Sequence, residues 1–278
     1  MEWTTKVEIP TFPFSIEPHS RLLCVGSCFA DAIGRHLRDN MFATTVNPYG
    51  VMYNPASIVH TIARSEEAPD VCIITLGTNH IYRLKETGEI VDNCMKRPQA
   101  LFQEEEMDVS ACHQWLQQAV QLLRQRNPQV NVILTVSPIR YRKYGYHGSR
   151  LSKATLLLAA DRLVQEEACC HYFPAYEIMN DELRDYRFYA EDMLHPSAQA
   201  VDYIWNALMA SCFSTLSLQY IQDWRPIKEA LSHKPFHPDS AEYKTFMDKT
   251  LLKIEALSKK YPTFAAVYAA QKEAVFQA

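Results

Sequence analysis

The sequence predicts an α/β protein in which a mostly parallel, five-stranded sheet is covered by helices on both faces. Two observations support this. Short apolar runs alternate with segments whose apolar residues recur at helical spacing, and 47% of the 278 residues are apolar while 22% are charged, which is typical of globular domains. Repeated strand–helix order builds a parallel sheet whose functional loops lie at the carboxyl ends of the strands.

Each predicted strand is a short apolar run that ends near a turn or a small polar residue. In chain order these runs cover residues 22–25, 42–46, 71–76, 130–136 and 171–176. The helical patterns that alternate with them cover residues 30–38, 56–64, 109–126, 151–168 and 198–213. A small hairpin at 83–91, with Glu86-Thr-Gly-Glu89 at its centre, is predicted as an insertion after the third strand.

The pattern changes after Phe213, so we assign residues 1–213 to the α/β domain and residues 214–278 to a C-terminal helical appendage. Helical patterns cover 223–232, 240–260 and the stretch from Pro262 to Val275. The appendage could pack on the sheet domain, act as a lid over the site, or form a subunit contact that makes a homo-oligomer. Packing is the default for an amphipathic helix.

Charge and composition exclude several classes of partner. The formal net charge of −4 lacks the basic excess that nucleic acids require. The absence of an apolar run of about 18 residues and of an apolar N-terminal segment predicts a cytoplasmic protein without a membrane span. Eight cysteines in such a protein are expected to be reduced thiols.

Metal ligation is not predicted, although three partial ligand sets occur. They are Cys24 with Cys28, Cys169 and Cys170 with His171, and His233 with His237. The chain has neither paired CxxC elements nor HExxH, and Lys-Pro-Phe separates His233 from His237. We therefore expect neither a metal nor another cofactor.

Chemistry-bearing residues follow three predicted strands. Ser27 and Cys28 stand at the first strand-to-helix turn, where a helix start can hold an oxyanion, although Ser27 could equally be an ordinary N-cap. Asn79 follows the third strand after a glycine turn and could donate hydrogen bonds to a developing charge. In Asp192-Met-Leu-His195 the carboxylate can orient the imidazole as a general base.

The segment Gly26-Ser-Cys-Phe-Ala30 spells the name-giving motif of the GSCFA domain family, a branch that resembles the SGNH (GDSL-like) hydrolases. Further resemblance lies in Asn47-Pro-Tyr-Gly-Val-Met-Tyr-Asn-Pro55, Thr135-Val-Ser-Pro-Ile-Arg140, Leu151-Ser-Lys-Ala154 and the stretch 185–197. It covers roughly residues 10–235 and implies a flavodoxin-like three-layer α/β/α sandwich of the SGNH type.

The resemblance also implies roles for individual residues. Ser27 matches the serine nucleophile, and Asp192 and His195 match the paired acid and base. The oxyanion donors would be the Ser27 amide, the Gly50 amide and the Asn79 side chain, unless a shifted alignment replaces Gly50 by Asn47 or Asn54.

Two departures from the SGNH pattern concern the nucleophile and the oxyanion element. Gly-Ser-Cys replaces the GDS element, and His80 stands where the GxND element has Asp. A Cys28–His195 thiol enzyme is therefore an alternative, but we expect Ser27 to be the nucleophile and Cys28 to turn inward. His80, Arg140 and His147 are candidate substrate-binding residues, the last two on a loop rich in aromatic and cationic residues.

The sequence thus predicts a cofactor-free serine hydrolase that cleaves an acyl or acetyl ester of a small or carbohydrate-like molecule. Ser27 would attack the carbonyl after His195 takes its proton, and Asp192 would stabilise the imidazolium. Two alternatives stay open: an acyltransferase that uses the same residues, and a catalytically silent module that binds a ligand or partner on the same fold.

Overall fold

Strands and helices alternate through most of the chain, of which a computed structural model describes residues 5–92, 94 and 97–277, with side chains described as far as residue 272. In chain order the main elements are β1 (Leu22–Gly26), α1 (Cys28–Asp39), β2 (Thr44–Val46), α2 (Pro55–Arg64), β3 (Val71–Leu76), β4 (His80–Leu84), β5 (Ile90–Val91), β6 (Phe102–Glu106), α3 (Val109–Arg126), β7 (Asn131–Val136), α4 (Gly145–Glu166), β8 (Cys170–Tyr172), α5 (Ala175–Glu177), α6 (Ala198–Cys212), α7 (Thr215–Ser232), α8 (Ala241–Lys260) and α9 (Pro262–Gln277). A π-helical segment, Ile178–Leu183, continues α5.

The central sheet has five strands in the order β2-β1-β3-β7-β8, and every neighbouring pair is parallel. This is the flavodoxin-like order, in which the second strand lies outside the first. The predicted parallel, five-stranded α/β fold is confirmed. The fifth strand ends at Tyr172 rather than at residue 176, because Pro174 has no N–H to donate and caps α5 instead.

Side chains along each central strand alternate between two apolar cores. Leu22 and Cys24 of β1 belong to the core on one face, while Leu23 and Val25 belong to the core on the other. Helices α1 and α6 supply the first core, and helices α2, α3 and α4 supply the second. The three-layer α/β/α arrangement follows from this alternation.

The insertion after β3 is larger than the hairpin predicted at 83–91. Strands β5, β4 and β6 form a separate antiparallel sheet, in which β4 pairs with both neighbours. Strand β6 escaped the sequence analysis because Phe102-Gln-Glu-Glu-Glu106 has no alternating apolar residues. Cross-strand polar pairs hold it instead, such as Arg83 Nε to Glu105 Oε2 at 2.8 Å.

Helices α7 and α9 pack against the end of α1 and the turn that follows it. The Tyr220 hydroxyl donates to the Met41 carbonyl at 2.8 Å, and the Trp224 indole N–H donates to the Asp39 carbonyl at 2.8 Å. Tyr220, Trp224 and Phe264 are all fully buried. Because Asp39 is the last residue of α1 and Cys28 the first, these contacts lie at the opposite end of that helix from the predicted site.

Two predicted helices begin earlier than their apolar patterns suggested. Helix α7 begins at Thr215 rather than at residue 223, because the Ser214 side chain caps it by accepting from the Ser217 N–H. Helix α4 begins at Gly145 rather than at residue 151. In the part of the chain that the structure describes, no helix combines the length and apolarity needed to cross a membrane.

Gly26 ends β1 at a point where no side chain fits. Its φ is +131°, and a Cβ built on it would lie 2.2 Å from the backbone oxygen of Thr75 on β3. Gly88 also has a positive φ, +74°, but has open space around the position of a Cβ. The two glycines therefore separate the effect of backbone strain from that of a steric clash.

We expect Gly26→Ala to lower the free energy of unfolding by about 3 kcal/mol or more, because β1 and β3 must move apart. Gly88→Ala should cost only about 1 kcal/mol, the strain of an L-residue at positive φ. Urea unfolding of both variants measures the difference. Equal losses would mean that the close approach at Gly26 is readily relieved.

Candidate active site

Ser27 lies between β1 and α1 with its side chain fully buried. Its hydroxyl lies 2.9 Å from the Thr75 hydroxyl and accepts from the Phe29 N–H at 3.2 Å, as an N-cap residue does. Its own N–H donates to Thr75, with 3.0 Å to the carbonyl and 2.9 Å to the hydroxyl oxygen. The polar groups of Ser27 thus hold α1 against β3, and this burial argues against Ser27 as the group that meets a substrate.

Cys28, the first residue of α1, is the partly exposed member of the pair. Its side chain packs against the apolar core that includes Phe29, as expected for an inward-facing residue, but part of it stays exposed. Its Sγ lies 3.8 Å from the Tyr53 hydroxyl oxygen. The N–H groups of a first helical turn lack intrahelical partners and carry the positive end of the helix dipole, so an oxyanion that binds beside Cys28 is favoured.

Two tyrosines that the sequence analysis did not single out adjoin Cys28. Burial, followed by the neighbouring Cys28, raises the pKa of Tyr53 to about 12. The Tyr141 ring stands perpendicular to the Tyr53 ring with centroids 6.2 Å apart, and burial raises the pKa of Tyr141 well above its ordinary value. The Tyr141 hydroxyl is buried and has no hydrogen-bond partner among the described residues. Both phenols therefore stay protonated near neutral pH.

Asp192 and His195 form the couple that their spacing predicts. Asp192 Oδ2 lies 2.5 Å from His195 Nδ1, and Asp192 Oδ1 accepts from the N–H groups of Leu194 at 2.8 Å and His195 at 3.0 Å. These backbone hydrogen bonds, and then the imidazole, hold the pKa of Asp192 well below its usual range. Among the described residues nothing hydrogen-bonds to His195 Nε2, which is left free for proton transfer.

The loop that carries His195 is tied to the end of β7. Arg140 donates its backbone N–H to the Leu194 carbonyl at 3.0 Å and a guanidinium N–H to the Met193 carbonyl. Ala190 donates to the His195 carbonyl at 2.8 Å, which closes the loop on itself. Arg140, a predicted substrate contact, thus also positions the imidazole through its backbone.

The three predicted oxyanion donors are engaged elsewhere in this structure. The Ser27 N–H donates to Thr75, and the Gly50 N–H donates to the Asn47 carbonyl at 2.8 Å. Asn79 donates its side-chain N–H to the Met107 carbonyl at 2.7 Å, and its Oδ1 is buried without a partner. One N–H of the Asn79 amide stays unused, so of the three groups only Asn79 keeps a donor.

His80 and His147 are not brought to the candidate site. His80 is buried, and its ring stacks on Tyr144 with centroids 3.6 Å apart, while burial lowers its pKa. Nearby carboxylates of β6 complete its surroundings, with Glu104 at 3.6 Å. His147 is exposed in the first turn of α4. The contacts of His80 support a structural role. Among the described residues no contact indicates a role for His147.

Lys153 carries a buried amine whose role was not predicted from the sequence. Only 2% of the residue is exposed, and its Nζ donates to the Gly77 carbonyl at 2.6 Å and to the Ser137 carbonyl at 2.8 Å. Gly77 directly follows β3 and Ser137 directly follows β7, so Lys153 cross-links the carboxyl ends of two central strands. Burial lowers the pKa of Lys153 from 10.5 to about 7.

Cys28 and the His195 loop thus share one edge of the sheet without touching. Cys28 follows β1, and the His195 loop is hydrogen-bonded to the segment that follows β7. Strand β3 lies between β1 and β7. Two strand spacings amount to roughly 10 Å. Within the described residues no hydrogen bond joins the Asp192–His195 couple to Ser27 or Cys28.

The motif at the β1–α1 turn is matched by a family model. The model described as the GSCFA family matches residues 21–69 and 65–208. The chain belongs to the GSCFA family. A second model, described as the C-terminal domain of GSCFA domain proteins, matches residues 224–270 of this GSCFA-family chain.

Solved structures similar to this GSCFA-family chain share little sequence with it. A carbohydrate esterase family 3 protein from Talaromyces cellulolyticus is 13% identical, with a TM-score of 0.46 over 73% of this chain and 99% of that chain. A GDSL-like lipase from Bacteroides thetaiotaomicron is 15% identical, with a TM-score of 0.44 over 73% of this chain and 88% of that chain. None of the curated protein sequences compared with the chain matches it.

The lowered pKa of Lys153 predicts a pH-dependent stability. Between about pH 7 and 10.5 the unfolded chain binds a proton on Lys153 that the folded chain does not, so the free energy of unfolding rises with pH across this window. We expect the stability of the wild type relative to Lys153→Met to rise by up to roughly 4 kcal/mol between pH 6 and pH 10.

Urea unfolding at several pH values measures this difference, and Lys259→Met, which changes an exposed lysine of α8, is the matched control. The control should show no such rise. A flat difference between wild type and Lys153→Met would mean that Lys153 stays charged in the folded protein.

Proposed function

We propose that this protein hydrolyses acyl esters, with Asp192 and His195 as the acid–base couple and the Cys28 thiol as the nucleophile. The observation that carries the proposal is the 2.5 Å contact between His195 Nδ1 and Asp192 Oδ2, which leaves Nε2 free. A carboxylate that receives the Nδ1 proton fixes the tautomer in which Nε2 can act as a base, and it stabilises the imidazolium that forms.

The choice of Cys28 over Ser27 rests on burial and hydrogen bonding. Ser27 is inaccessible, and its hydroxyl is used between Thr75 and the Phe29 N–H. Cys28 is partly exposed at the helix start. Once its proton is removed by a base, a thiol is also a stronger nucleophile than a hydroxyl. The family motif therefore supplies a cap residue followed by a reactive residue.

In the proposed reaction the thiol proton passes to His195 Nε2 through a bridging water, and the Cys28 sulfur attacks the ester carbonyl. The tetrahedral intermediate collapses to a thioester on Cys28, and the leaving alcohol takes the proton back from His195. Water, deprotonated by His195, then attacks the thioester and releases the carboxylic acid and the free thiol. Asp192 stays ionised throughout, in keeping with its lowered pKa.

The negative oxygen of the tetrahedral intermediate needs hydrogen-bond donors. The Cys28 N–H at the start of α1 is suited to this role, since the first amides of a helix have no intrahelical partner. Asn79, which keeps one amide N–H unused, is a second donor. The protonated Tyr53 hydroxyl, 3.8 Å from the sulfur, is a third.

Exposure favours hydrolysis over transfer to another alcohol. The side chains of Asp192 and His195 are each 44% exposed, so water reaches the couple that would activate it. The substrate is accordingly an ester that can approach an open edge of the sheet. An acyltransferase would need a site that keeps water from the thioester.

The nucleophile is tested by substitution. We expect Cys28→Ala to lower kcat/KM for a short-chain aryl ester by about 10³-fold or more, because the covalent step is lost. Ser27→Ala should keep most of the activity but lower the free energy of unfolding by about 1 kcal/mol, because an N-cap is lost. Cys169→Ala, which changes another partly exposed cysteine, is the control and should match the wild type.

Mass spectrometry after a brief incubation with substrate should find the acyl group on Cys28, released by hydroxylamine as a thioester is. Acylation of Ser27, or loss of activity in Ser27→Ala but not in Cys28→Ala, would restore the serine assignment. A wild type that neither turns over esters nor becomes acylated would contradict an enzymatic function.

The acid–base couple is tested by Asp192→Asn. The amide can still accept the Leu194 and His195 backbone N–H groups, so the loop should keep its conformation. It cannot stabilise an imidazolium, and it favours the wrong tautomer, so kcat should fall by roughly 10²-fold to 10⁴-fold. Kinetics alongside circular dichroism separate this from unfolding. Activity equal to that of the wild type would make the couple a structural cap.

A further inference from the structure

A cavity of about 490 Å³ lies beside the His195 loop, and its walls carry cations without carboxylates. Its described lining includes Arg140, Arg142, Arg150 and the buried Lys153, together with tyrosines and Met193. An adjoining cavity of about 350 Å³ shares Arg140 and Arg150 and adds Arg184. Basic side chains are thus concentrated around these cavities in a chain whose net charge is −4.

The arginines of these cavities are not used in ion pairs. Among the described residues Arg142, Arg150 and Arg184 make neither a salt bridge nor a side-chain hydrogen bond. Several other arginines of the chain are paired with carboxylates; Arg64, for example, meets Asp92 at 2.7 Å. The second cavity does contain Asp181 and Asp185, but the Asp185 side chain bonds to Arg187. Unpaired guanidinium groups facing a common space are what an anionic ligand requires.

Aromatic rings fix the direction of Arg140. Its guanidinium carbon lies 4.0 Å from the Tyr189 ring centroid, 5.3 Å from that of Tyr146 and 5.6 Å from that of Tyr186. Its Nε is buried and has no hydrogen-bond partner among the described residues, although one of its terminal nitrogens donates to the Met193 carbonyl. The guanidinium is therefore held in place with donor capacity left over.

The larger cavity adjoins the proposed acid–base couple. Met193, which lines it, lies between Asp192 and His195 in the chain, and the Arg140 backbone N–H bonds to the Leu194 carbonyl at 3.0 Å. A ligand in the cavity can therefore contact Met193, which lies two residues before His195 in the chain. The buried Lys153 has a lowered pKa, and an anion beside it would favour its protonated form.

From this arrangement we infer that the cavity around Arg140, Arg142 and Arg150 binds an anionic oxygen group, phosphoryl or carboxylate, carried by the ester substrate. That the ligand is a substrate rests on the proposed function. That the cavity binds an anion does not. The arginines would hold the anion by charge-assisted, bidentate hydrogen bonds, and the ester would extend from it toward His195. Binding energy gained at the anion would thus position the carbonyl.

Binding is tested first, on the 278-residue chain at low ionic strength. Calorimetric titration with inorganic phosphate and, separately, with acetate tells the two anion sources apart. We expect Arg150→Gln and Arg142→Gln each to weaken binding of the preferred anion by at least about tenfold, or about 1.4 kcal/mol. Arg225→Gln, which changes an exposed arginine on α7, should bind as the wild type does. No binding of either anion, or equal binding by all variants, would overturn the inference.

Kinetics then link the site to the ester. We would compare acetyl esters of glycerol 3-phosphate, of glyceric acid and of glycerol, which differ in the anion that they carry. We expect kcat/KM to be at least about tenfold higher for one of the charged esters than for the neutral one. Arg150→Gln should reduce this preference, and Arg225→Gln should keep it.

The outcomes separate the two proposals. Hydrolysis of all three esters at the same rate would overturn the anion site as a substrate subsite and leave the proposed function intact. Arginine-dependent phosphate or acetate binding without hydrolysis of any ester would support the anion site and contradict the proposed function.

Discussion

The close approach of β1 to β3 at Gly26 fixes the position of everything that follows at the site. The backbone oxygen of Thr75 occupies the space where a side chain would stand, and both the N–H and the hydroxyl of Ser27 bond to Thr75. Helix α1 therefore begins at one defined point with its first amides at the sheet edge. Cys28 has its place because Gly26 has no side chain and Ser27 turns back into the core.

A buried amine holds the next two strand ends in the same way. Lys153 reaches from α4 to the carbonyls after β3 and β7, and a neutral amine has two N–H groups for the two acceptors. Its lowered pKa means that the cross-link can keep its geometry with little buried charge. Arg140, three residues beyond Ser137, then fixes the His195 loop to the end of β7 through its backbone hydrogen bond to Leu194.

The layers of the fold were predictable because a strand that is buried on both faces of the sheet is apolar at consecutive positions, as in Leu22-Leu-Cys-Val25. The third strand of the inserted sheet, β6, was not predictable, because polar pairs rather than an apolar face hold it in the sheet. At the site, the Asp192-to-His195 spacing alone predicted the couple because it is a contact within one turn. The burial of Ser27 could not be predicted in this way, because its hydroxyl contacts Thr75, which is 48 residues away in the chain. Of the two roles that the sequence predicts for Ser27, the structure shows the N-cap, and the nucleophile stays a prediction.

The attachment of the C-terminal helices to the end of α1 has a consequence for how the protein is made. Trp224 and Phe264 belong to the same apolar core as Ile33 and Leu37 of α1, so residues more than 200 positions apart close one interior. During synthesis the N-terminal strands and α1 emerge long before α9 does. Part of their apolar surface therefore stays uncovered until the last helices are synthesised, and in that interval it is prone to aggregation.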